Sequence, residues 1–83
     1  MLNGDTKMIR SQNIDTNDNT IKTVAMGNRA ARIDELGLLY RVHLQVDRKE
    51  VKTVTFDSLD YGDDGHYTAE HKANKLAHRH VFN

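Results

Sequence analysis

Five histidines and a run of aspartates are the residues of this 83-residue chain with the most chemical capacity. Asp57, Asp60, Asp63 and Asp64 lead into Gly65, a concentration of carboxylates that invites a calcium loop. With Gly65 at the turn position, Asp60 and Asp64 fall on the first and fifth ligand positions. The third is then Gly62, and the last is His71 where a bidentate glutamate belongs. A solvated loop that starts a helix is the better reading, because Asp and Gly gather in turns for backbone reasons alone. The histidines raise zinc in the same way. His66 and Glu70 share a helical face only if the helix begins early, Lys75 interrupts the line from His71 to His78, and His78 and His80 diverge on a helix. They are expected to be surface histidines, with no metal and no other cofactor.

Covalent chemistry finds no performer. Ser11 and Ser58 are the only serines and cysteine is absent, so acyl transfer has no nucleophile in a glycine-flanked elbow. No phosphate-binding loop is present. Asp57 or Asp60 could be paired on paper with His66 as acid and base, but a chain with this many Asp and His offers such pairs without purpose. The chain is expected not to be an enzyme.

Composition narrows the partners. Twelve Lys and Arg balance twelve Asp and Glu, whereas a domain built to hold bulk nucleic acid carries a strong positive excess. Residues 1–83 are expected to form one small domain, since 37% hydrophobic and 29% charged residues allow a modest core. No apolar run approaches the roughly 20 residues of a membrane span, and Met1 to Arg10 lacks the apolar stretch of a signal peptide. A cytoplasmic address away from membranes is the expectation.

The elements that must position these residues are legible in part. Leu39 to Val46 alternates Tyr40, Val42, Leu44 and Val46 with Leu39, Arg41, His43 and Gln45, the period of two of a half-buried strand. Val51 to Phe56 returns beside it, with Asp47, Arg48, Lys49 and Glu50 as a four-residue loop. Thr20 to Met26 reads as a further strand, and Thr6 to Arg10 as a partner for it across the polar segment Ser11 to Asn19. Residues 1–5 and the 11–19 loop are expected to be loosely held. Arg29 to Leu36 places Ala30, Ala31, Ile33 and Leu36 at helical spacing, with Asn28 as cap and Gly37 as stop, which predicts a short helix between the sheet halves. From Thr68 to Val81, Ala69, Ala73, Leu76, Ala77 and His80 share one helical face. The fold class is therefore α+β: an antiparallel sheet of three to four strands, packed on one face by a C-terminal helix. Val42, Leu44, Val54, Phe56 and Leu76 are the expected core.

Two surfaces remain for binding. The outer helix face carries His71, Lys72, Lys75, His78 and Arg79, suited to an acidic protein surface or to the phosphates of a complex. The open sheet face carries Arg41, His43, Gln45, Thr53 and Thr55, donors of the kind that read base edges. In outline, Leu39 to His80 resembles the arm-binding domains of tyrosine recombinases, which implies DNA binding through the sheet. The same stretch is similar to the second half of a double-stranded-RNA-binding domain, with Asp57 to Gly65 where that family has a glycine-rich turn and clustered lysines. The leading expectation is a binding protein, an inhibitor or accessory subunit of the bacteriophage type, that blocks or modulates a larger protein or protein and nucleic-acid complex. Direct DNA binding through the open sheet face is the alternative. The oligomeric state is not legible.

Overall fold

Two-residue turns at residues 27–28, 37–38 and 47–48, ten residues apart, fold the chain into a meander. The computed structural model describes residues 14–83. Gly27 (φ 62°) and Gly37 (φ 64°) open the first two turns in the left-handed region, and Asp47 (φ 55°) and Arg48 (φ 69°) both occupy it in the third. Such turns match the right-handed twist of paired strands. Four strands result: β1 (Thr20–Met26), β2 (Arg29–Leu36), β3 (Leu39–Val46) and β4 (Lys49–Asp57), in the order β1-β2-β3-β4 and antiparallel throughout. A 3-10 segment (Ser58–Asp64) then leads into one helix, α1 (Gly65–Phe82).

The antiparallel α+β architecture thus agrees with the sequence reading, and three details differ. Arg29–Leu36 is the strand β2, not a short helix. As an inner strand it buries Ala31 and Ile33 on the helix side and Ala30 and Asp34 on the other, so its apolar residues do not alternate. Gly37 is a hairpin residue instead of a helix stop. The loop after β3 is also shorter than four residues. Lys49 and Glu50 pair with Val46 and Gln45, and a bulge between Leu44 and Gln45 absorbs the odd residue. Finally, α1 begins three residues before Thr68, because the 3-10 segment feeds directly into it and the Gly65 amide donates to the Gly62 carbonyl. The expected strand Thr6 to Arg10 lies outside the described residues.

The core joins Ala31, Ile33, Tyr40, Val42 and Leu44 of the sheet to Ala69, Ala73, Ala77 and Val81 of α1. These helix residues recur every fourth position, and their small side chains let α1 lie close over the two inner strands. Of the expected core, Val42 and Leu44 are buried, while Val54, Phe56 and Leu76 are half-buried along its β4 flank. No helix among the described residues is long and apolar enough to cross a membrane.

Candidate functional site

The half-buried flank is where sheet and helix fail to close on one another. Phe56 of β4 and Leu76 of α1 form the floor of an open depression of about 210 Å³, and Lys72, Lys75 and Arg79 stand around it. The α-helical repeat explains the arrangement. Positions 72, 75, 76 and 79 fall on neighbouring turns of one flank, so the three cations lie beside the side chain that packs on Phe56. Lys72 also holds its ammonium 5.5 Å from the Tyr61 ring centroid. Among the described residues, no carboxylate pairs with Lys72, Lys75 or Arg79. Lys52 pairs with Leu44, which puts it on the same sheet face as Phe56. An apolar floor with unneutralised cations suits a ligand that offers both an apolar side chain and carboxylates.

All five residues expected on the outer helix face are exposed, but they divide into two groups. Lys72, Lys75 and Arg79 meet at the groove. His71 stacks on Tyr67 (ring centroids 6.1 Å apart), and His78 leans on Phe82 (5.7 Å) while donating to the Asn74 carbonyl at 3.0 Å. His80 faces the sheet and donates to the Gln45 carbonyl at 2.8 Å, and Arg29 bonds the His80 carbonyl at 3.1 Å, which fastens the end of α1 to the strands.

The centre of the open sheet face is a polar network. Its centre is Asp34, nearly buried, which accepts from the Thr20 hydroxyl at 2.8 Å and lies 3.1 Å from the Arg32 guanidinium and 3.4 Å from His43. Burial pushes its carboxyl up, but the Thr20 hydrogen bond and the Arg32 charge, helped by Asn17 and His43, outweigh this and hold it below the usual range. His43 reaches Glu50 on its other side at 2.9 Å, and Thr53 donates to Glu50 at 2.5 Å. Glu50 is held low by these hydrogen bonds from Thr53 and His43. Arg32 bonds the Asp15 carbonyl at 2.6 Å, which ties the segment before β1 to this face. The register sets His43 opposite Thr53 and Arg41 opposite Thr55, while the Gln45 carbonyl oxygen of the side chain is buried without a partner. Two of the five expected nucleic-acid contacts, His43 and Thr53, are therefore engaged with carboxylates.

A third cluster was not legible in the sequence. The Tyr40 hydroxyl donates to Glu35 at 3.2 Å and sits within hydrogen-bond distance of His66 Nε2, which is itself 3.1 Å from Glu35. Tyr40 is fully buried; desolvation, then the hydrogen bond and charge of Glu35, push its hydroxyl up to about 12. It stays protonated at neutral pH and clasps the start of α1 to the β2–β3 corner. The only signal for it was Tyr40 on an inward strand position, where a hydroxyl needs a partner.

No protein family model matches this chain, and no curated protein or solved structure matches it.

Proposed function

We propose that the protein is a non-enzymatic binding domain that modulates a larger protein or protein and nucleic-acid complex by presenting its β4–α1 groove to an acidic, partly apolar protein surface. The observation that carries this reading is the juxtaposition of Phe56 and Leu76 with Lys72, Lys75 and Arg79, none of them neutralised by a described carboxylate. Exposed ion pairs add only about 0.2–1 kcal/mol each, so charge alone selects and steers. Burial of one large apolar side chain contributes about 1.5–3 kcal/mol more, and the groove offers both.

Two features weigh against other readings. The open sheet face sets the carboxylates of Asp34 and Glu50 among its donors, which would repel phosphate. The Tyr40 hydroxyl is shut away from solvent and held by Glu35 and His66, an arrangement that fastens rather than reacts.

The test is fluorescence anisotropy with a labelled peptide of glutamates and leucine, beside a labelled DNA duplex. The peptide should bind the parent and lose at least about tenfold in affinity on the triple change Lys72→Glu, Lys75→Glu, Arg79→Glu, with the circular dichroism unchanged. Preferential binding of the duplex, lost on Arg41→Ala, would move the function to the open sheet face.

A further inference from the structure

Resting on that reading, we infer that the acidic partner is an extended segment added to the sheet as a fifth, antiparallel strand along β4. β4 is last in the strand order, with no neighbour on its outer side among the described residues. The phase of its hydrogen bonds follows from one contact. Ser58 donates its amide to the Leu38 carbonyl at 2.9 Å, so counting in twos along the register makes Tyr40 with Phe56, Val42 with Val54, and Leu44 with Lys52 the hydrogen-bonded pairs. The backbone groups of Thr53, Thr55 and Asp57 then point to the free edge. This stretch is regular and carries no charge from Thr53 to Phe56. The bulge that interrupts β4 is confined to its start. β1, the other edge, is bulged between Thr20 and Lys22, and the depression beside it is lined mostly by polar residues with the single cation Lys22.

Geometry then specifies the segment. A strand beside β4 directs every second side chain toward the helix, at a repeat of about 6.7 Å. Lys72 and Arg79 are seven residues apart on α1, or about 10.5 Å along its axis. Long side chains make up the difference to the roughly 13 Å between strand positions i and i+4. The segment that fits has an apolar residue over Phe56 and Leu76 with a carboxylate two residues to either side. One carboxylate faces Lys72, the other Arg79, and Lys75 lies between them. In an antiparallel pair the groove-facing residues turn their amides away from β4, and the two intervening residues supply the hydrogen bonds to it.

Peptide backbone methylation separates this from a side-chain contact alone. The probe is a seven-residue peptide with leucine at its centre, glutamate two residues to either side and threonine or serine elsewhere, titrated against the intact protein by anisotropy. Methylating the amides of the two intervening residues should weaken binding at least about tenfold through the loss of two hydrogen bonds and the bulk of the methyl groups, while methylating the leucine and glutamate amides should leave it within about twofold. Equal binding of all three peptides, still abolished by the triple charge reversal, would overturn strand addition and leave the groove reading standing. The reverse methylation pattern would overturn the antiparallel orientation. No binding of the unmodified peptide would overturn both readings.

Discussion

Gly65 occupies the first residue of α1 with φ −56° and ψ −40°, a helical conformation that alanine adopts freely. Helix propensity alone therefore makes Gly65→Ala stabilising, by up to about 1 kcal/mol. Packing reverses the sign. A Cβ at this position would lie 1.8 Å from the Ser58 carbonyl oxygen and 2.9 Å from its carbonyl carbon, so the two backbones must part by more than an ångström. Neither can yield easily. Ser58 is buried and its amide is bonded to Leu38, while the helix is fixed four residues on by fully buried Ala69. Overpacking costs about 1–3 kcal/mol and losing the Ser58 hydrogen bond about 0.5–1.5 kcal/mol, which leaves a net loss of about 0.5–3.5 kcal/mol after the full propensity gain. At roughly 4–8 °C per kcal/mol for a domain of this size, the middle of that range, about 2 kcal/mol, lowers the melting temperature by roughly 8–16 °C. Thermal unfolding followed by circular dichroism is the assay, with Gly37→Ala as comparison. There a Cβ meets nothing within 4 Å and only the positive φ is strained, so the expected cost is about 1–2 kcal/mol. A Gly65→Ala protein that melts at or above the parent temperature would refute the close approach of α1 to Ser58.

Leu44→Ala, in the core, should cost about 2–5 kcal/mol by denaturant titration, and Leu76→Ala, on the half-buried groove floor, under half as much while weakening the acidic peptide. Asp34 titrates below the usual range, so its contribution to stability is present above the unfolded carboxylate range near pH ~4 and is lost as pH falls through the lowered value. Asp34→Asn should accordingly destabilise at pH 7 by about 1–3 kcal/mol and much less at pH 2, in paired urea titrations. The Tyr40 hydroxyl is raised to about 12 from an ordinary 10, so the neutral group contributes stability fully below pH 10 and loses it as pH climbs toward 12. Tyr40→Phe should remove that part of the alkaline loss, read as a smaller fall in melting temperature between pH 9.5 and 11.5.

The β3–β4 hairpin and α1 were legible because each is half-buried: one face apolar, one polar, at a period of two or near four. β2 was not, because an inner strand with Ala30 and Asp34 buried on one side and Ala31 and Ile33 on the other has lost that contrast. Its glycines carried the missing information. Gly27 and Gly37, the second of them read as a helix stop, stand ten residues apart with Asp47 and Arg48 a further ten on, the spacing of a meander. The groove was half legible: the exposed cations followed from helix phase, but their convergence on Phe56 depends on how α1 crosses the sheet. The Tyr40, Glu35 and His66 clasp joins three elements, so no local pattern could have announced it.

Mapping the contact on the protein itself tests the groove most directly. Backbone amide shifts, recorded by nuclear magnetic resonance as the glutamate and leucine peptide is titrated in, should move at residues 52–57 of β4 and at Lys72, Lys75, Leu76 and Arg79 of α1. Those of Arg32, Asp34 and Arg41 should stay in place. Shifts centred on the open sheet face, or none at peptide concentrations in the millimolar range, would contradict the β4–α1 groove as the binding surface.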